Sequence, residues 1–210
     1  MESVEDYITE HIDREPDLLK QIDREAKLKL LHGNMISGHL QGRLLKMLVH
    51  MVRPNRVLEI GTFTGYSALC MAEALEEGAT LHTIEIDDEL EDIILENFKR
   101  SVFSDKIILH IGDANVISEQ FENDYFDLVY MDGDKRDYWS YFETVLSKIK
   151  KGGFIIADNT LWYGKVVEPV KSNDWQTKGI IYFNNKLKSD ERVEKVILPL
   201  RDGLTLIRKI

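Results

Sequence analysis

The sequence predicts an α/β fold: a seven-stranded, mostly parallel sheet that ends in an antiparallel hairpin and is preceded by extra helices. Three observations support this prediction. Short apolar runs alternate with longer amphipathic segments between residues 56 and 157, as in strand–helix–strand units joined by right-handed crossovers. The last two apolar runs are joined only by Pro199–Gly203, which is too short for a parallel crossover. The N-terminal quarter of the chain shows helical periodicity and no strand pattern.

The N-terminal part of the chain predicts two helices, with room for a third. Pro16 marks the start of the first, and leucines then recur until Gly33. A second apolar stripe covers His39–Val52 and stops before a proline. We therefore expect one domain that spans all 210 residues, with helices in 1–53 and an α/β core in 54–210.

Five apolar runs in the core predict the parallel strands. They lie at Arg56–Ile60, Thr80–Ile86, Lys106–Ile111, Phe126–Met131 and Phe154–Ala157. The amphipathic segments between them predict helices at Ser67–Glu77, Asp88–Ser101, Ala114–Glu122 and Tyr138–Lys150. A further helix is expected near Thr177–Lys188, followed by the closing hairpin at Val193–Leu198 and Leu204–Arg208.

Composition and charge exclude several classes of protein. Hydrophobic residues make up 43% and charged residues 30% of the chain, a balance typical of a globular and not of a disordered protein. No apolar run approaches the length of a membrane span, and the acidic start Met1–Asp6 does not resemble a signal or transit peptide. A net charge of −10 disfavours nucleic acid as a partner, and the single cysteine, Cys70, excludes a disulfide framework and favours the cytoplasm.

The densest motif is Glu59–Ser67, where the first strand leads into a helix. In an open parallel sheet, ligands bind beyond the carboxyl ends of the strands, so this turn is expected to face one. A dinucleotide fingerprint needs glycines at three offsets, where this turn has Gly61, Phe63 and Tyr66. A P-loop needs a Lys-Ser or Lys-Thr pair after Gly65, and none follows. The turn is therefore predicted to bind a cofactor without a phosphate group.

Three successive strand ends carry groups that match such a cofactor. Glu59 offers a carboxylate to a cationic amine, and Gly61 lets the backbone approach closely. Ser67 either caps the next helix or binds a carboxylate near its N-terminus. Glu85 is placed to accept both hydroxyls of a ribose, and the small-residue turn before Ala114 leaves room for adenine. Together these groups describe S-adenosylmethionine, although an ordinary cap, turn or solvated acid explains each residue taken alone.

The fourth and fifth strand ends predict a metal site and a base. Asp132 follows the fourth strand, while Asp158 and Asn159 follow the fifth, and neighbouring parallel strands bring their ends together. Two carboxylates and an amide oxygen suit a hard cation such as Mg²⁺, although an Asp-Asn pair after a strand is more often an Asx turn. A bound cation favours the neutral form of a nearby lysine, so Lys135 is expected to take the proton of a substrate hydroxyl.

Taken together, the motifs resemble those of the cation-dependent class I O-methyltransferases, the group of catechol and caffeoyl-coenzyme A O-methyltransferases. The resemblance covers about residues 35–208 and rests on Met35–Gly42, Glu59–Ser67, Asp132-x-x-Lys135-x-x-Tyr138, Gly152-Gly153, Asp158-Asn159 and Leu198–Leu204. It implies a Rossmann-like class I methyltransferase sandwich that forms a homodimer. Asp134 stands where the animal catechol enzyme has a tryptophan, as in the caffeoyl-coenzyme A branch. The composition of the loop 161–178, where the family sets substrate choice, differs from that of the family and leaves the substrate open.

The resemblance also implies roles for individual residues. The cofactor shell for S-adenosylmethionine comprises Ser37, Glu59, Gly61, Phe63, Ser67, Glu85, Ala114 and Asp132. The Mg²⁺ ligands are Asp132, Asp158 and Asn159, and the catalytic base is Lys135.

The expected function is therefore Mg²⁺-dependent O-methylation of one of two vicinal hydroxyls on a small aromatic substrate, catechol-like or hydroxycinnamoyl-like. No nucleic acid and no membrane is expected as a partner. One alternative is a methyltransferase of the same fold that acts on RNA or protein, against which the net charge and the metal-ligand set argue. Another is a non-catalytic cofactor-binding scaffold, which has no reason to keep Lys135 together with the three metal-ligand candidates.

Overall fold

The computed structural model describes residues 3–210 and contains the seven-stranded sheet that the sequence predicts. Met1 and Glu2, the first part of the acidic start, lie outside the described residues. The strands are β1 (Arg56–Ile60), β2 (Thr80–Glu85), β3 (Ile107–Ile111), β4 (Phe126–Met131), β5 (Ile149–Asp158), β6 (Val193–Leu198) and β7 (Leu204–Lys209). Their order across the sheet is β3-β2-β1-β4-β5-β7-β6. The first five strands are parallel, and β7 pairs antiparallel with both β5 and β6, as expected.

Eight α-helices accompany the strands in the described part of the chain. They are α1 (Val4–His11), α2 (Asp17–Lys29), α3 (Gly38–Val52), α4 (Tyr66–Ala72), α5 (Glu91–Lys99), α6 (Ala114–Glu119), α7 (Tyr138–Lys148) and α8 (Trp175–Lys188). None of these described helices is long and apolar enough to cross a membrane.

The bounds of several elements differ from the sequence prediction, and three differences are the most informative. The short helix α1 was not assigned, and a capping box in which Ser3 and Asp6 bond each other's backbone N–H groups stabilises its first turn. Helix α4 ends at Ala72 and not near Glu77. Strand β5 begins five residues earlier than Phe154, where Ile149 pairs with β4 across a bulge. The sequence did not predict this start, because the polar, glycine-rich run before Phe154 shows no apolar alternation.

Apolar side chains cover both faces of the sheet. On one face, α2, α3, α4 and α5 pack against Val57, Leu81 and Leu128. On the other face, α6, α7 and α8 pack against Leu58 and Val129. Strands that are buried on both faces carry nearly unbroken apolar runs, which explains why the central strands were recognisable in the sequence. The sheet is therefore the middle of three layers, with helices on each face.

Close packing and ion pairs hold the N-terminal helix α3 against α4. A Cβ atom at Gly42 would lie 2.7 Å from the Sγ atom of Cys70, so only glycine allows this approach. Glu73 at the end of α4 pairs with the buried guanidinium of Arg43 at 2.9 Å and with Lys46 at 2.6 Å. The start of α3 is therefore fixed over the carboxyl edge of the sheet.

Candidate active site

The parallel register brings the predicted site residues to one edge of the sheet. Ile60 of β1 lies opposite Met131 of β4, which in turn lies opposite Ala157 of β5, so the residues that follow these three strands are neighbours. The turn after β1 passes very close to the turn after β4. A Cβ atom at Gly61, whose φ is +95°, would lie 2.5 Å from the backbone oxygen of Asp132. Glycine is therefore required where these two turns meet.

Glu59 is a fully buried carboxyl group with one oxygen unused. Its Oε2 atom accepts a hydrogen bond of 2.5 Å from the hydroxyl of Thr83, whereas Oε1 has no partner among the residues that the structure describes. Burial raises the pKa of Glu59 to about 8, although the hydroxyls of Ser67 and Thr83 act in the opposite direction. An unsatisfied buried carboxyl oxygen is costly, so this position fits a ligand that brings a positive charge or a donor.

The turn that follows Gly61 is held by Glu85. The backbone N–H of Phe63, a residue in the left-handed region with φ +51°, donates to Oε2 of Glu85 at 2.7 Å. The other oxygen accepts the N–H groups of Ile86 and Asp87, both at 3.0 Å. Three of the roughly four acceptor positions of this carboxylate are therefore filled by backbone. Glu85 shapes the turn, and its role toward a ribose stays a prediction.

Three further predicted cofactor residues lie at or beside the starts of helices. Ser67 does not cap a helix, because α4 begins one residue earlier and Gly65, with φ +81°, occupies the cap position. That part of the prediction is wrong, and the hydroxyl instead lies near the carboxyl group of Glu59. Ala114 is buried at the start of α6, and Ser37 is buried immediately before α3.

Lys135 lies in the first turn after β4, and its ammonium group is held from two sides. Its Nζ atom donates to Oδ1 of Asp132 at 2.8 Å and to the hydroxyl oxygen of Tyr138 at 2.7 Å. Burial keeps the pKa of Tyr138 far above its usual value, so its hydroxyl stays protonated and donates to the Asp158 carbonyl at 2.9 Å. The lysine is only 7% exposed, and its head group points at the neighbouring strand ends.

Helix α8 holds the backbone of the same turn. The N–H group of Lys135 donates to Oε1 of Gln176 at 3.0 Å. A Cβ atom at Gly179 would lie 2.3 Å from the carbonyl oxygen of Lys135, so the helix and the turn are in direct backbone contact. The position of Lys135 therefore depends on α8, a helix that the sequence motifs do not include.

Asp158 and Asn159 lie beside this lysine at the end of β5. Burial raises the pKa of Asp158 to about 6, and its Oδ1 atom accepts the Asn159 N–H at 2.7 Å. Its Oδ2 atom accepts the hydroxyl proton of Tyr130 at 2.9 Å. Asn159 has φ +55°, and its Nδ2 atom donates to Oδ2 of Asp202 at 2.8 Å, which leaves its amide oxygen available.

The groups at this edge fit a hard divalent cation. Asp132 and Asp158 follow neighbouring strands and interact electrostatically, and the amide oxygen of Asn159 lies next to them in the chain. Within residues 3–210, no group of three or more His, Cys, Asp or Glu side chains is placed to hold a metal. A cation here therefore depends on two carboxylates and one amide oxygen, the oxygen-only set that Mg²⁺ accepts together with water.

A cavity of about 520 Å³ opens beside Asp202. Its lining is mostly apolar and comes from a 3₁₀ segment after β5 and from the turn between β6 and β7: Leu161, Tyr163, Gly164, Val166, Val167, Arg201 and Asp202. Its apolar lining suits an apolar group, and Asp202 connects the cavity to Asn159 through a hydrogen bond of 2.8 Å.

Several residues of the site were not assigned roles from the sequence. They are Gln41, Tyr130, Tyr138, Gln176, Gly179 and Asp202. Gln41, Tyr138 and Asp202 lie within the motif segments quoted above, so a signal for them was present. Tyr130, Gln176 and Gly179 carried none, because their contacts join parts of the chain that are remote in sequence.

Comparison with known proteins gives a consistent result. A family model described as O-methyltransferase matches residues 9–210. Caffeoyl-CoA O-methyltransferase 1 of Zea mays is 34% identical over 94% of this chain and 80% of its own length. The corresponding protein of Eucalyptus globulus is also 34% identical, over 94% of this chain and 83% of its own length.

Solved structures agree with the sequence relatives. The O-methyltransferase TomG of Streptomyces achromogenes, crystallised in complex with S-adenosylmethionine, superposes with a TM-score of 0.89 at 26% identity, covering 97% of this chain and 94% of its own. The S-adenosylhomocysteine-bound methyltransferase PaMTH1 of Podospora anserina also gives 0.89 at 26% identity, covering 99% and 94%.

The buried acid Glu59 is expected to make stability fall as the pH rises. Its folded pKa of about 8 exceeds the ordinary value of 4.5, so the unfolded chain releases the proton first. The stabilising contribution is complete below the ordinary pKa and is lost as the pH rises toward the folded value. Denaturant unfolding between about pH 5 and about pH 8 is expected to show a smaller decline for Glu59→Gln than for the unmodified protein. Equal declines would contradict the burial argument.

Substitution of Gly179 by alanine is expected to destabilise the protein, although alanine ordinarily stabilises a helix relative to glycine by about 1 kcal/mol. The added Cβ atom must push α8 away from the carbonyl oxygen of Lys135, and overpacking of this kind costs about 1–3 kcal/mol. Urea unfolding measures the sign, and hydrogen exchange of the Lys135 amide is expected to accelerate. Asn185→Ala, at an exposed position of the same helix, is the control. A stabilised Gly179→Ala protein would show that the contact is not tight.

Proposed function

The chain belongs to the O-methyltransferase family, and from this premise we propose that it methylates one of two vicinal hydroxyls on a small aromatic acceptor with the help of Mg²⁺ or another hard divalent cation. TomG, an O-methyltransferase of similar fold, was solved in complex with S-adenosylmethionine, which supports this compound as the methyl donor. The observation that carries the proposal is the convergence of Lys135, Asp132 and the Asp158-Asn159 pair at one edge of the sheet.

The residues around the β1 turn would hold S-adenosylmethionine. Glu59 presents its unused oxygen to the cationic amine, and Glu85 has one acceptor position left for a ribose hydroxyl. The rest of the proposed shell comprises Ser37, Gly61, Phe63, Ser67, Ala114 and Asp132. When bound, the cofactor supplies the methyl group, and the cation supplies positive charge that favours an ionised acceptor hydroxyl.

Lys135 would remove the proton from the acceptor hydroxyl. Tyr138 and Asp132 fix its Nζ atom at the strand ends, and α8 fixes its backbone. Asp132 is both the ion-pair partner of the lysine and a proposed cation ligand, so a bound cation would compete with the ammonium group for this carboxylate. Beyond the proton transfer, the chain's contribution is to align the acceptor and to exclude water.

A small aromatic acceptor is supported by the pocket and by the relatives. The cavity beside Asp202 has an apolar lining that suits a ring, and several curated relatives are named as caffeoyl-CoA O-methyltransferases. The net charge of −10 disfavours an RNA substrate. The acceptor is therefore proposed as a catechol or a hydroxycinnamoyl compound.

We also propose the cytoplasm as the compartment, because the single cysteine, Cys70, is buried and forms no disulfide.

Chelation by EDTA is expected to abolish methyl transfer to a catechol while the far-UV circular dichroism stays unchanged, because packing against the sheet involves no cation.

Lys135→Ala is expected to lose about two to four orders of magnitude in rate, the usual contribution of a general base. Part of that loss is expected to return at high pH, where more of the acceptor ionises unaided. Lys188→Ala, an exposed lysine at the end of α8, is the control. Full activity in EDTA would refute the cation, and a normal rate for Lys135→Ala would refute the base.

A vicinal diol is expected to be methylated much faster than the matching monophenol. Only a vicinal pair can chelate the cation and hold one oxygen in a fixed direction, and lost orientation is costly in rate. A comparison of kcat/KM for caffeate and for coumarate, which differ by one hydroxyl, measures this preference. Similar values for the two would remove the chelation argument.

We also propose that the enzyme forms a homodimer, as the family resemblance implies. Large apolar side chains on α2, α3 and the loop between them are exposed in the single chain, namely Leu28, Leu31, Met47 and Met51. Light scattering at micromolar concentration is expected to give about twice the 24.4 kDa mass of one chain. A single-chain mass under these conditions would overturn the proposal.

A further inference from the structure

The start of helix α3 reaches the proposed cation ligand Asp158. Gln41 is buried, 1% exposed, and its Nε2 atom donates both to Oδ2 of Asp158 and to the hydroxyl of Tyr130, the latter at 2.8 Å. Its Oε1 atom accepts a hydrogen bond of 3.0 Å from Nη1 of Arg201. One amide thus connects α3, the end of β5 and the turn between β6 and β7.

The chemistry of these partners fixes the orientation of the amide. An arginine side chain has only donors, so the oxygen of Gln41 must face Arg201. Its NH₂ group must then face the carboxylate of Asp158, which in its ionised form has only acceptors. A glutamate at this position would place two carboxyl groups together, and an apolar residue would leave the buried Oδ2 atom with Tyr130 alone. Glutamine satisfies both neighbours.

The contacts of Asp158 leave one acceptor position open. Oδ2 receives Gln41 and Tyr130, and Oδ1 receives the N–H of Asn159. Three of the roughly four lone-pair positions of the carboxylate are thereby used, and the fourth lies on Oδ1. Because an ionised carboxylate offers only acceptors, the hydroxyl of Tyr130 must donate to Oδ2.

We infer that Gln41 is a positioning residue that holds Oδ2 of Asp158 and so reserves Oδ1 for the cation. Arg201 acts through it: the guanidinium donates to Oε1 of Gln41 and to the carbonyl oxygen of Ser37, which locks the first turn of α3 over the strand ends. The inference rests on the proposed cation site. Gln41 is thereby given a role beside those of Ser37 and Gly42 in the Met35–Gly42 motif.

The inference can be tested without measuring enzyme activity. The affinity of the metal-stripped protein for Mn²⁺ is measured by electron paramagnetic resonance, which detects the free ion. Gln41→Met keeps the length and volume of the side chain and removes the amide. Its Mn²⁺ affinity is expected to fall about 10- to 100-fold, as is usual when a hydrogen-bond partner of a metal ligand is removed. Affinity for S-adenosylhomocysteine, measured by calorimetry, is expected to change far less. Asn184→Leu, which removes an amide bonded to the Thr160 carbonyl, is the control and is expected to bind Mn²⁺ normally.

Arg201→Leu alters a more exposed residue and keeps the inference testable if Gln41→Met fails to fold. It is expected to weaken Mn²⁺ binding less than Gln41→Met does, and to add no further loss in the Gln41→Met background, because it acts through the amide. Additive losses would overturn the role of Arg201. If Gln41→Met binds Mn²⁺ within twofold of the unmodified protein, the inference is overturned while the proposed function stands. An unmodified protein that binds no Mn²⁺ or Mg²⁺ would overturn both.

Discussion

The site depends on one constraint: acidic side chains are buried where the parallel strands end, at the C-terminal edge of the sheet. Glu59 and Asp158 lie at the ends of strands that are covered on both faces, where an unpaired charge is very costly. Their surroundings follow from that cost. Thr83 donates to one carboxyl group, and Gln41 and Tyr130 donate to the other. Among residues 3–210, no partner satisfies one oxygen of Glu59 or the fourth acceptor position of Asp158, and both positions could accept a ligand.

The edge is held in place from both faces of the sheet. Helix α3 belongs to the layer that packs on one face and supplies the amide of Gln41 to Asp158. Helix α8 belongs to the opposite layer and supplies Gln176 to the backbone of Lys135. Each helix is anchored by its own apolar core, so the polar contacts at the edge cost little additional ordering. Lys135 and Asp158 are therefore supported from opposite layers, and Tyr138 links them by contacting both the lysine ammonium group and the Asp158 carbonyl oxygen.

Much of the fold and part of the site could be predicted from the sequence, for identifiable reasons. Strands buried on both faces produce apolar runs, and the last residues of these strands or the turns after them carry Glu59, Asp132 and Lys135. What escaped prediction depends on contacts across the chain. Gln41 and Arg201 meet over 160 positions, and Gly179 is explained only by the carbonyl oxygen that it touches. Of the two roles offered for Ser67, the helix cap is wrong because Gly65, in a left-handed conformation, occupies the cap position and α4 begins at Tyr66.

The close contact between Gly42 and Cys70 makes the chain's single thiol a natural reporter of local opening. Burial raises the pKa of Cys70 to about 12, so the thiolate that reacts with alkylating agents is almost absent while α3 rests on α4. Labelling must therefore wait for a transient separation of the two helices, and its rate measures how often that separation occurs. Helix α3 also carries Gln41 near its start, so the rate of Cys70 labelling reports the mobility of the helix that holds Asp158 in place.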